Sequence, residues 1–445
     1  MSTALRYLST RGGAPATTLS AAIAAGLAPD GGLYVPERLP ALLLEQFDPD
    51  GTLADTATTL LAPFFAGDAL AGELPAICTE ALTFPTPLRA LPQHPKTSLL
   101  ELFHGPTAAF KDVGARFLAA CMHRLRGDAT APLTILVATS GDTGAAVAAA
   151  FHRQPGIEVV ILYPDGRVSP RQAHQLGCFG DNVHALRVQG RFDDCQRMVK
   201  AALNDQALQA KVPLSSANSI SLGRLLPQMS YYAHTAVARC RERREPLNLI
   251  VPTGNLGNAL AAQWVRTMGL PVSQIKLACN ANATLPDFFA GHDYAPREAI
   301  ATLANAMDVG APSNFERLRW TLPDAALLRA QMQAQSVDDR TISATIAAHA
   351  REHGEVFCPH TATAMHLLDQ LRADGNDAPW TVVATAHPAK FESVVEPLIG
   401  RPVEVPASLA AMLQRSASAE AIPALDEALR RWLLERAASG APTLS

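Results

Sequence analysis

Thr134-Ile135-Leu136-Val137-Ala138-Thr139-Ser140-Gly141-Asp142-Thr143-Gly144 is the stretch on which the fold turns. Its first six residues form an unbroken run rich in apolar and β-branched side chains, the pattern of a strand buried on both faces. The next five hold two glycines, a serine and an aspartate, and open a helix that runs through Phe151. The same alternation extends outward. Strands are expected at residues 98–103, 159–163, 183–188 and 212–216, with helices at 109–126, 170–176 and 192–210. A second series follows. It has helices at 222–239 and 259–268, strands at 247–251 and 275–279, and an irregular stretch over 281–314. Helices at 325–335, 341–353 and 362–371, a strand at 381–385 and a helix at 388–399 complete it. Strands separated by helices make a parallel sheet covered on both faces. The expected class is therefore α/β, with two doubly wound parallel-sheet domains.

Ahead of this, residues 1–95 read as a mostly helical region, with helices at 21–27 and 53–66 and a proline-rich linker at 84–94. Residues 96–400 are expected to form the α/β region. Its smaller subdomain spans about 112–220 and its larger one is built from the rest. Residues 401–445 read as a helical, peripheral tail.

At 445 residues the chain is too long for one ordinary core. Its 48% hydrophobic and 18% charged residues describe a well-buried protein and exclude a disordered one. The net charge of −4 and the lack of a basic stripe argue against nucleic acid. The densest basic run, Arg239, Arg241, Arg243 and Arg244, fits a solvated helix end. Seven scattered cysteines without a CxxC pair point to reduced thiols in the cytoplasm, with no disulfide framework and no zinc site. The thirteen histidines are read as holding no HxxxH or HExxH pair, so no metal is expected. No apolar run is long enough to span a membrane. Residues 1–29 lead straight into a turn and strand at Asp30-Gly31-Gly32-Leu33-Tyr34-Val35-Pro36, so no targeting segment is expected.

Four loops could carry chemistry. In Leu100–Asp112, Lys111 follows a Gly105-Pro106 turn and adjoins Phe110. A lysine among apolar groups loses part of its preference for the charged form, and a neutral amine is what an aldehyde cofactor needs for a Schiff base. Gly254-Asn255-Leu256-Gly257-Asn258 follows a strand and opens a helix, where backbone N–H groups and the helix dipole can cradle a phosphate. A plain βα turn with a capping Asn explains such a loop about as often. Neither a dinucleotide nor a P-loop fingerprint is present. The loop at 139–144 can hold an anion, or Ser140 or Asp142 can simply cap the helix. Thr385, at a strand's carboxyl end, can meet a heterocyclic nitrogen or cap a helix. Asn218 and Ser219 precede Arg224, which could clamp a phosphate or carboxylate or be a solvated helix arginine. Together these groups suit pyridoxal 5′-phosphate and an anionic amino-acid substrate.

The ordered blocks GGLYVP, ELFHGPTAAFKD, ATSGDTGAAVA, ILYPDGRVSP, SANSIS, LPQ, GNLGN, NAMDVGAPSN and TAHPAKF run along nearly the whole chain. With them the sequence resembles the threonine synthases of bacteria and fungi, in the tryptophan-synthase-β-like (fold type II) group of pyridoxal-phosphate enzymes. The resemblance implies that Lys111 is the Schiff-base lysine. It implies that Gly254, Asn255, Leu256, Gly257 and Asn258 bind the cofactor phosphate, that Thr385 faces the ring nitrogen and that Phe110 adjoins the cofactor. Ser140, Asp142, Thr143, Asn218, Ser219 and Arg224 would then face the substrate. The implied reaction is γ-elimination of phosphate from O-phospho-L-homoserine and addition of water at Cβ, giving L-threonine, the last step of threonine biosynthesis. The implied assembly is a monomer or homodimer. Rivals are a phospho-lyase that releases 2-oxobutyrate, and a non-catalytic cofactor-binding scaffold. Two positions depart from the family's pattern: Leu256 stands where Phe is frequent, and Ser221 where the family has Asn.

Overall fold

The computed structural model describes residues 4–127 and 132–439. Among the described residues thirteen strands form three sheets. In the leading region β1 (Tyr7–Ser9) pairs antiparallel with β2 (Tyr34–Pro36). The helix Leu53–Phe65 starts on a capping box made by Thr52 and Asp55 and buries Leu60, Leu61, Phe64 and Phe65. That stripe packs on the helix Gln228–Arg243, and the helix Leu74–Ala81 packs on Lys111–Arg126. The leading region is therefore fused to the core beneath it.

The larger sheet holds β3 (Leu88–Ala90), β4 (Thr97–Glu101), β9 (Leu247–Pro252), β10 (Val272–Cys279), β11 (Met332–Ser336) and β12 (Trp380–Ala384), in the order β11-β10-β9-β12-β4-β3. All neighbours are parallel except β3 and β4. The smaller sheet holds β5 (Leu133–Ala138), β6 (Ile157–Pro164), β7 (Val183–Gln189), β8 (Leu214–Ser216) and β13 (Glu420–Pro423), in the order β13-β7-β6-β5-β8, all parallel. Every residue of β9 and β12 is buried, as their continuous apolar runs require.

Several elements depart from the sequence expectation for physical reasons. The stretch 84–94 is not a bare linker. It contains β3, an edge strand with prolines only beside it, held by Arg89 to Glu101 at 2.7 Å and to Glu355 at 2.8 Å. The expected helix 325–335 stops at Gln331 and continues as β11, where Met332 is buried and polar residues alternate. The helix expected at 192–210 breaks at Asp205, whose carboxylate caps the short helix Gln206–Gln209. The helix expected at 222–239 breaks at Pro227 into Leu222–Leu225 and Gln228–Arg243.

The tail is neither wholly helical nor peripheral. Between Ala407–Leu413 and Asp426–Ala438 it adds β13 to the smaller sheet. Ile422 points inward there, and Leu429 and Leu433 seat the last helix against Phe192–Asn204. Residues 440–445 of that expected tail lie outside the described residues.

Candidate active site

The loop after β4 is pinned to the loop after β12. The Phe110 N–H donates to the Thr385 carbonyl at 2.8 Å, and the His387 N–H to the Ala108 carbonyl at 3.0 Å. Ala108 has a left-handed φ of 55°. The buried Asp112 carboxylate accepts from the Thr107 N–H at 2.9 Å and the Thr107 hydroxyl at 2.7 Å. Gly105 is required at this turn, because a Cβ there would lie 2.5 Å from Asp112 Oδ2. This scaffold starts the helix Lys111–Arg126 with Lys111 itself. The Lys111 amine donates to Thr143 Oγ1 at 2.9 Å and lies 5.5 Å from the centre of the Phe110 ring. Burial pushes its pKa down to about 8; Arg224 and Lys390 push the same way, and Asp142 opposes them.

Thr143 belongs to the first turn of the helix Asp142–Phe151, which follows β5. Here neither Ser140 nor Asp142 caps the helix. The buried Thr139 Oγ1 accepts from the N–H groups of Gly141 at 3.0 Å and Gly144 at 2.9 Å. Asp142 is thereby free for another task. Its Oδ1 meets the Lys390 amine at 2.9 Å and the Gln172 side-chain amide at 3.0 Å. Lys390, fully buried, also donates to the Thr107 carbonyl at 2.6 Å. Burial opposes the charge on Asp142, but the neighbouring cations, Lys390 above all, outweigh it and hold the carboxyl below its ordinary pKa.

In the glycine loop after β9, Leu256 takes a left-handed φ of 65° with its side chain buried, and the helix Gly257–Thr267 begins after it. A Cβ on Gly254 would lie 2.6 Å from the Cα of Met307, so the chain crosses there at close range. Asn255 binds Ser219 Oγ and the Ser313 N–H, each at 2.6 Å. Asn258 Oδ1 accepts from Tyr231 at 2.5 Å and Tyr232 at 2.9 Å. Arg224 is not solvated: it is buried, it donates to the Ala217 carbonyl at 2.5 Å, and burial pushes its pKa down to about 10.

Loops from both sheets thus converge. Asn305, beside the Gly254 crossing, reaches the Ser140 carbonyl at 3.3 Å and Gln172 at 3.4 Å. Around this convergence Asn218 Oδ1, Ser221 Oγ, Arg224 Nε, Asn258 Nδ2 and Asn305 Oδ1 are shut off from solvent without a partner. Buried polar atoms are nearly always paired, so such a set of donors and acceptors marks where a polar ligand belongs. It fits a phosphorylated cofactor beside the Lys111 amine.

Residues 80–388 match the family profile described as pyridoxal-phosphate dependent enzyme. Residues 6–82 match that of the threonine synthase N terminus, and residues 361–432 that of the threonine synthase C-terminal region. The threonine synthase of Haemophilus influenzae is 38% identical over 405 residues, 88% of this chain and 91% of that one. The chain belongs to the threonine synthase family. It is accordingly a pyridoxal-phosphate-dependent lyase of threonine biosynthesis. The crystal structure of threonine synthase from Escherichia coli matches with a TM-score of 0.88 at 34% identity, covering 97% of this chain and 100% of that one. The pyridoxal-phosphate-bound threonine synthase of Brucella melitensis matches at 0.87 and 34%, covering 98% and 100%.

Within this threonine synthase framework, three buried groups escaped the sequence reading. Lys390 lies inside the TAHPAKF block, but its partner Asp142 is remote in sequence. His360 has no local signal. Its Nε2 accepts from the Ala306 N–H at 3.0 Å, and burial pushes its pKa down to about 4, so the ring is neutral. Arg317 is fully buried and joins Tyr34, Asn314 and Ile220 at 3.0, 2.8 and 2.6 Å. It ties the leading region to the loop that carries Asn218 and Ser219. The histidine reading also needs correction, because His349 and His353 do have HxxxH spacing.

Proposed function

We propose that Lys111 is the covalent anchor of pyridoxal 5′-phosphate and the base of the reaction on O-phospho-L-homoserine. The observation that carries this reading is the Lys111 amine, held by Thr143 and made partly neutral near pH 8 by burial. In this reading the N–H groups of Gly254, Asn255, Leu256, Gly257 and Asn258 hold the cofactor phosphate, aided by the dipole of the helix Gly257–Thr267. Phe110 adjoins the cofactor. The Thr385 hydroxyl faces the ring nitrogen; being neutral, it leaves that nitrogen less protonated than a carboxylate would. When bound, the cofactor supplies a conjugated ring that withdraws electrons from the substrate's α-carbon.

Lys111 then moves protons at the substrate's Cα and Cβ. Ser140, Thr143, Asn218, Ser219 and Arg224 orient the substrate's carboxylate and phosphate, so that binding tightens as charge develops on the departing phosphate, while Asp142 acts on them only by holding Lys390 in place. Water adds at Cβ, and the products are L-threonine and phosphate. Leu256 uses its backbone, so the departure from Phe is tolerated. Ser221, whose hydroxyl is unpaired, faces the same pocket.

The finer organisation proposed is a leading region at 1–95, a catalytic region at 96–400 and a tail at 401–445. We place the protein in the cytoplasm as a monomer or homodimer, without nucleic-acid or membrane partners. The net charge of −4 speaks against a nucleic-acid partner, and no helix among the described residues is long and apolar enough to cross a membrane.

Absorption spectroscopy tests the anchor. The purified protein should show a band at about 410–420 nm that is absent from Lys111→Ala, as expected of an imine-linked cofactor. Incubation with O-phospho-L-homoserine should release threonine and phosphate in equal amounts. Release of 2-oxobutyrate and ammonia instead would favour the phospho-lyase. A colourless wild type that takes up no cofactor would refute the assignment of Lys111.

A further inference from the structure

We infer that His94, His349 and His353 form a divalent transition-metal site, with zinc as the ion it suits, separate from the catalytic site. One ring nitrogen from each lies within 4.8 Å of the others. The ring centres are 4.8 to 5.4 Å apart. His349 and His353 stand one turn apart on the helix Asp339–His353, a spacing that puts both rings on one face. His94 comes from the turn between β3 and β4.

The cluster shows more than proximity. His349 is 4% exposed. Its Nε2 meets Asp369 Oδ2 at 2.9 Å, while its Nδ1 is buried without a partner. His94 Nε2 is likewise buried and unpaired. A carboxylate on one nitrogen and a free lone pair on the other is the arrangement that fixes the tautomer of a metal-binding histidine. Zinc–nitrogen bonds of about 2.0–2.1 Å set ring nitrogens about 3.4 Å apart at a tetrahedral ion, so the three rings must close by about an ångström. His94 and His353 are only half-buried, which leaves room for that movement and for a water as the fourth ligand. Imidazole donors suit zinc, and also cobalt, nickel and copper.

Nearby charge is mixed. Asp369 is favourable, whereas Arg372 is a cation in the vicinity of His94. The two terminal Arg372 nitrogens are engaged with Asn376, Ala378, Pro95 and Thr97 at 2.5 to 3.2 Å, while its Nε is buried without a partner. Glu352, between the two helical histidines, is exposed and paired with Arg351 at 2.6 Å. No general base therefore adjoins the site, and its role is structural. The ion would clamp the β3–β4 turn to the helices Asp339–His353 and Pro359–Ala373. That turn is at the amino end of β4, about 16 Å of strand from the Lys111 loop.

The test uses untagged, cofactor-loaded, chelator-washed protein. Zinc is supplied by equilibrium dialysis and bound metal is measured per chain. Wild type should retain one zinc. His94→Ala and His349→Ala should each weaken retention by at least about 10-fold, and Asp369→Asn by about 10- to 100-fold. Cys240→Ser should change nothing, and the cofactor absorption band should persist in every variant. Cobalt offers a reading that needs no variant: four-coordinate binding gives wild type a visible d–d spectrum, displaced by zinc. Absence of that spectrum, or retention unaltered in both His94→Ala and His349→Ala, would overturn the site.

Discussion

The buried pair Asp142–Lys390 gives the sharpest test of how the site is built. Asp142 follows a strand of the smaller sheet and Lys390 a strand of the larger, so the pair fastens one to the other beneath Lys111. At 2.9 Å and an effective dielectric of about 20, the bare attraction is about 6 kcal/mol. Dehydrating both ions offsets most of it, so the net contribution is small while the loss of one partner is expensive. Asp142→Asn would strand a buried ammonium against the Thr107 carbonyl, and Lys390→Met would strand a carboxylate against Gln172. Each should cost about 3–5 kcal/mol. The double variant should cost less than the sum, with a coupling of about 1–3 kcal/mol. Urea unfolding of the two singles and the double measures the coupling.

The same variants act on Lys111 in opposite directions. Asp142 raises the pKa of the amine and Lys390 lowers it. Asp142→Asn should therefore move the amine further below about 8, and Lys390→Met should move it up. The pH dependence of pyridoxal-phosphate uptake by cofactor-free protein reports this titration. Shifts of the same sign, or strictly additive costs of unfolding, would refute the arrangement argued here.

Lys111 itself carries a pH signature. Its folded pKa, about 8, is below that of an unfolded lysine, so the unfolded chain binds more protons between pH 8 and about 10.4. The penalty is full below pH 8 and fades as pH rises to that upper value. Lys111→Met should therefore stabilise the cofactor-free protein most below pH 8, with the advantage shrinking above it in urea titrations. Gly254→Ala would press a Cβ to 2.6 Å from Met307; calorimetric titration should show weaker pyridoxal-phosphate binding by about 10²-fold, the scale of a 1 Å misplacement. Leu256→Gly sets two effects against each other: relief of the left-handed φ gains about 1 kcal/mol, and loss of a buried side chain costs about 2–5 kcal/mol. Packing should win, and the variant should melt lower.

The elements legible from sequence were those whose environment is uniform along their length. Strands β5, β9 and β12 are buried on both faces, so each is a mostly apolar run with at most one polar residue and needs no context to be read. The strands missed lie at edges. In β3 the outer residues are exposed and prolines flank it, while in β13 only Ile422 faces inward. With one or two buried positions there is no periodicity to detect. The site follows the same division. Lys111 and the glycine loop could be found because a strand-to-helix turn has a local signature. Asp142 misled, because an aspartate at a helix start is ordinarily its cap, and only the structure shows Thr139 in that place. The buried charges Lys390, Arg224 and Arg317 carry no local sign of burial, because each is neutralised or bonded by residues brought in by folding.

Under the function proposed above, those buried charges are what would favour an anionic ligand. Lys111, Lys390 and Arg224 bring three cationic groups to one buried region, with the carboxylates of Asp142 and Asp112 beside them. Asp142 is spent on Lys390, and Asp112 on Thr107, with burial pushing its carboxyl up. Asp142 and Asp112 only partly offset the burial that drives Lys111 and Arg224 toward the neutral form. A phosphorylated ligand supplies the missing negative charge together with acceptors for the unpaired Arg224 Nε and Asn258 Nδ2. The lysine is thus poised by the same desolvation that disfavours its charged form. A neutral ligand of the same size would leave that cost in place.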